Sequence, residues 1–88
     1  MAPFLTLRRR AYLVASAIAR AEEARIHAAN ARHFANMICT APRWFVRQAS
    51  AADWRVLWSE AVGSQRAAAD CAKTARDCRI ELIGSPTP

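Results

Sequence analysis

Histidine, cysteine and carboxylate side chains are the residues of this sequence with the chemistry to bind a metal ion. His27 and His33 lie close in sequence to Glu22 and Glu23, and Glu23 comes four residues before His27. On a helix, four residues make Glu23 and His27 neighbours, whereas six residues turn His33 about 240° away from His27. One helix therefore cannot bring both histidines to one ion, and the sequence predicts no metal site and no cofactor.

The sequence also lacks the patterns that are typical of active sites. Gly63 and Gly84 are the only glycines, so there is no glycine-rich phosphate loop, and neither G-x-S-x-G nor H-E-x-x-H occurs. Glu60 is followed three residues later by glycine, which excludes the Glu-x-x-His element of di-iron bundles. We therefore predict a protein that is not an enzyme and has no catalytic residues.

The three cysteines indicate a reducing compartment. Cys71 and Cys78 are seven residues apart, which is about 10 Å along a helix and too far for a disulfide. Free thiols are typical of the cytoplasm, which is the predicted location. The alternative is an organelle matrix, because the opening MAPFLTLRRRAYLVASAIARA has four arginines and no acidic residue, like a transit peptide. The same residues also suit the start of an ordinary basic helix.

The net charge of +6 belongs to the first half of the chain. Residues 1–49 contain eight arginines and two glutamates, whereas residues 50–88 contain five basic and five acidic residues. A basic excess suits an anionic surface such as a membrane or nucleic acid, and a solvated arginine-rich surface is the simpler alternative. No run of 18 apolar residues is present, so no membrane span is predicted.

The strongest charged feature is the run Arg8, Arg9 and Arg10, which we take as candidate binding residues. Three cations at a helix N-terminus oppose the macrodipole, so either the helix begins elsewhere or an anion compensates them. Aromatic residues do not alternate with basic ones as in single-strand binders, and the predicted helices are too long for a helix-turn-helix. Nucleic acid is therefore not a predicted partner.

The amino-acid composition and the positions of proline and glycine predict two long helices in a single domain of residues 1–88. Alanine, the best helix former, occupies 21 of the 88 positions. Neither proline nor glycine interrupts residues 6–39, and Pro42 stops that helix. A second helix over residues 50–83 begins with the capping pattern of Ser50 and Asp53. Gly84 and Pro86 end it and begin a short tail over residues 84–88. Gly63 marks a bend or a close backbone approach within it.

Small residues recur in both predicted helices at alternating spacings of three and four, which is typical of a coiled-coil seam. The first row is Val14, Ala17, Ala21, Ala24, Ala28, Ala31, Ala35 and Ile38. The second row is Leu57, Ala61, Ser64, Ala68, Cys71, Ala75, Cys78 and Leu82. The predicted fold is therefore all-α, an antiparallel hairpin of two long helices with an alanine-rich coiled-coil seam.

Large core residues are scarce, which predicts that the hairpin associates with another chain. Leu, Ile, Val and Phe together occupy only 17 of the 88 positions. A short chain with so little apolar volume usually completes its core with a second copy or a partner. We expect two hairpins to pair into a four-helix bundle.

Aromatic residues cluster around residues 41–49, which are predicted to form a bend or a short extra turn between the two helices. Trp44 and Phe45 lie within the bend, and Trp54, Leu57 and Trp58 follow at the start of the second helix. Two interpretations are open. The tryptophans pack on Trp44 and Phe45 and close the end of the hairpin, or they point outward and contact a partner or an apolar surface, as tryptophan often does at interfaces. All five are candidate binding residues.

The stretch FVRQASAADWRVLWSEAVGSQRAAADCAKTARD, residues 45–77, resembles the phasin family. In that family a small or polar turn precedes an acidic and an apolar residue, an L-Q-x-E-like step, and a glutamine-containing, alanine-rich helix. The counterparts here are Ser50, Asp53, Trp54, Leu57, Trp58, Glu60 and Gln65, with tryptophan in place of the usual glutamine at position 58. The resemblance implies a non-enzymatic amphipathic protein that coats polyhydroxyalkanoate granules and self-associates through its helices.

The sequence thus predicts a non-catalytic helical protein that assembles with itself or binds a protein partner, a granule or an anionic surface. Two alternatives remain open. One is a small accessory subunit of a larger complex, in an organelle if the N-terminus is a targeting segment, with the basic half facing an acidic neighbour. The other is a small phage-type inhibitor that occludes a macromolecule, which only the length of the chain suggests.

Overall fold

The two long helices are present and pack against each other. The computed structural model describes residues 5–84, which form α1 (Leu7–Cys39), α2 (Arg43–Gln48) and α3 (Ala51–Gly84), with no strand among them. The predicted all-α hairpin is thus confirmed, as a rod that extends over 64 × 17 × 16 Å. Of the predicted tail over residues 84–88, Gly84 is instead the last residue of α3, and residues 85–88 with the predicted stop at Pro86 lie outside the described residues.

The helix ends follow from capping residues. At the start of α1 the backbone N–H of Arg9 donates to Oγ1 of Thr6 at 3.0 Å. Before α3, the backbone N–H of Ser50 donates to Oδ2 of Asp53 at 2.8 Å, and the N–H of Asp53 donates to Oγ of Ser50 at 3.2 Å. This reciprocal pair is the predicted capping box, and it sets where α3 begins.

Two local predictions are refined by the structure. Residues 41–49 contain a short helix, α2, which agrees with the predicted alternative of a short extra turn, and the chain turns back through it. Helix α3 continues without a break through Gly63, where an added Cβ would have no neighbour within 4 Å. The predicted close backbone approach at Gly63 is therefore wrong.

The seam of α3 lies where the spacing predicts. All eight residues from Leu57 to Leu82 in the predicted row are buried or half-buried, and Ala61 and Ala75 are among the three most buried residues. Contacts between residues far apart in sequence show the antiparallel direction, because Arg9 meets Glu81 and Glu23 meets Cys71.

The predicted seam of α1 is wrong at three of its eight positions. Val14, Ala21 and Ala35 are exposed, and the helix instead turns Leu13 inward. Leu13 is 1% exposed, whereas Val14 is 47% exposed. The half-buried residues His27 and Phe34 lie on the same row, fourteen and twenty-one residues after Leu13, while Arg20, between Leu13 and His27, is exposed. Burial of Leu13 and Phe34 removes more apolar area from water than burial of valine and alanine, so the larger residues decide the rotation of α1.

Candidate interaction surfaces

The aromatic residues of the turn form a cluster only in part. The ring of Phe45 lies edge-on to Trp44, with centroids 6.0 Å apart, and edge-on to Trp54, with centroids 5.3 Å apart. Leu57 joins Trp44 and Phe45 around a cavity of about 260 Å³ at this end of the rod. The half-buried Trp54 therefore packs against α2 and helps to close the hairpin, as one of the two interpretations predicts.

The other two tryptophans face the solvent. Trp44 is 63% exposed and Trp58 is 57% exposed. Trp58 lies beside Val62 and Arg66 over a shallow depression on α3. The structure thus divides the predicted aromatic site, because Trp54 belongs to the packing of the turn while Trp44 and Trp58 present indole surface outward.

The run of three arginines does not form one basic patch. Arg8 is exposed. Arg9 extends to Glu81 of α3, with 3.4 Å between Nη2 and Oε1, and its guanidinium lies 5.2 Å from the ring centre of Tyr12. Arg10 is half-buried, and its Nη1 has no hydrogen-bond partner among residues 5–84. The three predicted binding residues therefore point to three different environments.

A polar cluster crosses the seam near its middle. Nη1 of Arg20 donates to Oε2 of Glu23 at 2.8 Å, and the thiol of Cys71 on α3 donates to the same oxygen at 3.6 Å. The hydrogen bond and charge of Arg20 lower the pKa of Glu23. Burial raises the pKa of Cys71, and the hydrogen bond to Glu23 adds to this effect. The cluster joins the two helices through a glutamate that stays ionised and a thiol that stays protonated.

One long side of the hairpin carries two shallow grooves between α1 and α3. The first, of about 390 Å³, is lined by Ala17, Ile18, Ala21, Ala24, Ala72, Ala75 and Arg79. The second, of about 320 Å³, is lined by Ala28, Ala31, Arg32, Ala35, Gln65 and Ala68. The grooves exist because the alanine side chains of both helices are too small to fill the space between α1 and α3 on this side.

We call this side the groove face. It comprises residues that line the two grooves and those that continue their rows at helical spacing, all exposed except the half-buried Ala28. On α1 these are Leu7, Ala11, Val14, Ile18, Ala21, Arg25, Ala28, Arg32 and Ala35. On α3 they are Arg55, Trp58, Val62, Gln65, Ala69, Ala72, Arg76, Arg79 and Ile83. The apolar row of Leu7, Val14 and Ile18 on α1 could have indicated this face from sequence. It was missed because Val14 was assigned to the seam.

The charge on the groove face is of one sign. Five of its residues are arginines, and none of its residues is acidic. Arg25 is paired with Glu22, which lies at the border of the face. Arg32, Arg76 and Arg79 take part in no ion pair among residues 5–84. The groove face therefore combines apolar and alanine surface with positive charge.

The opposite side is acidic, and we call it the acidic face. Its position is fixed by the contact of Arg9 with Glu81, and residues at helical spacing from these two continue it. Its carboxylates are Glu23, Asp53, Glu60, Asp70, Asp77 and Glu81, and its two arginines, Arg9 and Arg20, are paired with Glu81 and Glu23. Six of the seven acidic residues of the chain thus lie on the side away from the grooves.

Neither a metal site nor a membrane span is found in the part of the chain that the structure describes. Within residues 5–84, no group of three or more His, Cys, Asp or Glu side chains is arranged to hold an ion. No helix of this region is both long and apolar enough to cross a bilayer. The ring of His33 instead packs edge-on to Phe34, with centroids 5.6 Å apart.

Comparison with known proteins finds no match. No protein-family model matches the sequence, and no curated protein or solved structure shows significant similarity to it.

Proposed function

We propose that this hairpin is a non-enzymatic interaction protein that self-associates and binds a partner or an apolar surface. One observation carries the proposal: Leu13 is the one large side chain that is fully buried among residues 5–84, while thirteen large apolar residues are exposed. Single exposed apolar residues are ordinary. Here they form rows, such as Leu7, Val14 and Ile18 along α1, and contiguous apolar surface marks an interaction site. The free thiols suit assembly in the cytoplasm.

Sedimentation velocity over a series of protein concentrations tests the proposal. Association that buries the apolar rows makes the sedimentation coefficient rise with concentration in the micromolar range. The helical content should rise with it, because a rod with so small a core gains stability from each copy that binds. A stably folded monomer at every concentration, which also binds no apolar particle, contradicts the proposal.

Coating of a polymer granule is the most specific form of this function, in line with the resemblance to phasins. Trp44 and Trp58 support it, because flat aromatic side chains that are more than half exposed can lie against an apolar polymer. We expect the protein to co-sediment with polyhydroxyalkanoate particles. Trp44→Ala combined with Trp58→Ala should reduce binding by about tenfold or more, given the dominance of tryptophan in such contacts.

The matched control for granule binding is Trp54→Ala, because Trp54 packs on Phe45 within the turn. This variant should lose stability but keep its binding to the particles at a temperature where it is folded. Equal binding by the wild type and the Trp44/Trp58 double variant would remove the tryptophans from the function. A detergent wash separates specific coating from adsorption of unfolded chains.

A second candidate function is that of an accessory subunit that packs on an acidic neighbour. The groove face favours it, since five arginines without an acidic residue complement a negatively charged surface. This function predicts that the isolated chain stays partly unfolded at all concentrations and that a stoichiometric acidic protein co-purifies with it from the native host. A purified chain that is folded and assembled on its own argues against it.

A further inference from the structure

We infer that copies of the hairpin stack face to back, with the groove face of one copy against the acidic face of the next. This inference rests on the proposed self-association and specifies its geometry. The two faces lie on opposite sides of the same rod, one with arginines and the other with carboxylates. Each copy therefore carries both halves of a complementary interface.

Each face has charged side chains that form no ion pair within residues 5–84 and can therefore pair with the next copy. On the groove face, Arg32 and Arg79 line the two grooves and take part in no ion pair among residues 5–84. On the acidic face, Asp70 and Asp77 lie two turns apart on α3 and form no ion pair within the same region. Opposite charges across an interface steer association and fix its register.

Apolar surface accompanies the charge on both sides. The groove face presents Val14, Ile18 and Val62 next to grooves lined by alanine. On the acidic face, Tyr12, Ile26 and Val56 are exposed in rows that lie beside the carboxylates. The grooves are shallow and lined by small side chains, so they can receive the larger apolar residues of the next copy.

The dimensions of the rod allow a contact of sufficient area. A side of 64 by 17 Å covers on the order of 1,000 Å², compared with about 800 Å² per partner in a standard protein interface. A contact along the full length therefore needs no further segment of the chain. Because the two faces in contact are different, the association is heterologous and each stack leaves one free groove face and one free acidic face.

Stacking of this kind is favoured over the face-to-face pairing of a four-helix bundle through the grooves. A symmetric contact of two groove faces would bring ten arginines together without an acidic residue between them. Like charges across an interface cost several kcal/mol when they are close. The face-to-back arrangement places the same arginines opposite carboxylates.

Two charge-reversal variants test the geometry. Arg32→Glu with Arg79→Glu reverses charge on the groove face, and Asp70→Arg with Asp77→Arg reverses it on the acidic face. Each variant alone should raise the apparent dissociation constant by about tenfold or more, and an equimolar mixture should restore association. The control is Arg43→Glu with Arg47→Glu, two exposed residues of α2 that belong to neither face. It makes the same change in net charge as the groove-face variant and should leave association unchanged.

The outcomes separate the geometry from the proposed function. If the wild type associates but the mixture does not recover, or if the Asp70/Asp77 variant alone still associates fully, face-to-back stacking is wrong while self-association stands. If the wild type is monomeric at every concentration, face-to-back stacking is wrong, and the proposed function fails as well when the protein also binds no apolar particle. If it is monomeric and binds vesicles of anionic phospholipid, the groove face is a membrane-binding surface and the inference is overturned.

Salt dependence of the wild type gives a test that does not depend on the folding of any variant. Association through opposite charges should weaken as NaCl is raised from about 50 mM to about 500 mM, because the Debye length becomes shorter. Association through two arginine faces should instead strengthen with salt. An increase with salt therefore contradicts the face-to-back geometry.

Discussion

The thiol of Cys71 lies 3.6 Å from Oε2 of Glu23, across the seam between two helices whose contacting residues are 48 positions apart in sequence. The same carboxylate accepts a hydrogen bond from Arg20 one turn away on α1. Glu23 thus connects an exposed arginine on one helix with a half-buried thiol on the other. This contact is a polar link across the middle of the seam between α1 and α3.

The first prediction concerns the reactivity of the thiols. Cys39 is exposed, whereas Cys71 is half-buried and its pKa is raised by burial and by the contact with Glu23. Because the thiolate is the reactive form, iodoacetamide at neutral pH should modify Cys39 at least about tenfold faster than Cys71. Mass spectrometry of a time course measures both rates in the same sample. Equal rates in the folded protein would contradict the described seam, and unfolding in urea should abolish the difference.

The second prediction concerns the pH dependence of stability. Arg20 lowers the pKa of Glu23 in the folded state, so this carboxylate contributes stability that is present above its unfolded pKa and lost as the pH falls through its folded pKa. Glu23→Gln should therefore lower the unfolding temperature slightly at neutral pH, since exposed ion pairs are weak. The gap between wild type and variant should close in acid. Glu60→Gln is the control, as Glu60 forms no ion pair among residues 5–84, and should show no such gap.

The third prediction concerns the half-buried guanidinium of Arg10. Its Nη1 has no hydrogen-bond partner among the described residues, and an unsatisfied buried donor costs about 1–3 kcal/mol. Arg10→Met keeps the apolar stem and removes this donor, so it should stabilise the hairpin by about 1 kcal/mol. Arg8→Met removes the same charge from an exposed site, and relief of the helix dipole there should give about 0.5 kcal/mol at most. Urea unfolding compares the two, and an equal gain would mean that only the dipole matters.

The fourth prediction concerns Gly63. An alanine Cβ at this position would meet no atom within 4 Å, and α3 is continuous there. Gly63→Ala should raise the free energy of unfolding by about 1 kcal/mol, which is the difference in helix propensity. Ala69→Gly, at an exposed position of the same helix, should lower it by a similar amount. A loss of stability in Gly63→Ala would show that the assembled protein uses this position for a close contact.

The fifth prediction separates the tryptophans of α3. Trp54 packs edge-on to Phe45 and is half-buried, so Trp54→Ala should cost about 2 kcal/mol, somewhat less than for a fully buried aromatic residue. Trp58 is more than half exposed, and Trp58→Ala should change the stability of the isolated hairpin by less than about 0.5 kcal/mol. Thermal unfolding at a concentration below the association range measures both. A large loss for Trp58→Ala at that concentration would assign Trp58 to the core.

The fold could be predicted from sequence because its signals are local. Proline and glycine punctuation, the Ser50–Asp53 cap and the abundance of alanine each specify where a helix begins or continues. The sequence did not show which face of α1 packs against α3. Alanine occurs in several adjacent rows of that helix, so the small-residue pattern fits more than one seam. The observed seam is the one that buries Leu13 and partly buries Phe34, and this burial depends on the shape of the facing surface of α3.

The candidate surfaces were less accessible to sequence reasoning. The excess of arginine in the first half of the chain suggested a division along the sequence, whereas the structure divides charge between two sides of the rod. Arg32 of α1 and Arg79 of α3 share the groove face only because the helices are antiparallel and rotated as observed. Trp54 and Trp58 are one turn apart, yet α2 covers only Trp54, and the spacing alone contains no information about that.

The separation of arginines and carboxylates gives the rod an electric moment at right angles to its long axis. At short range, such a moment favours approaches in which the long groove face of the 64 Å rod turns toward a negatively charged object. It favours approaches with the acidic face toward a positively charged one. A single charge reversal at Arg79 or Asp77 would thus change the roll angle at which every later contact is made.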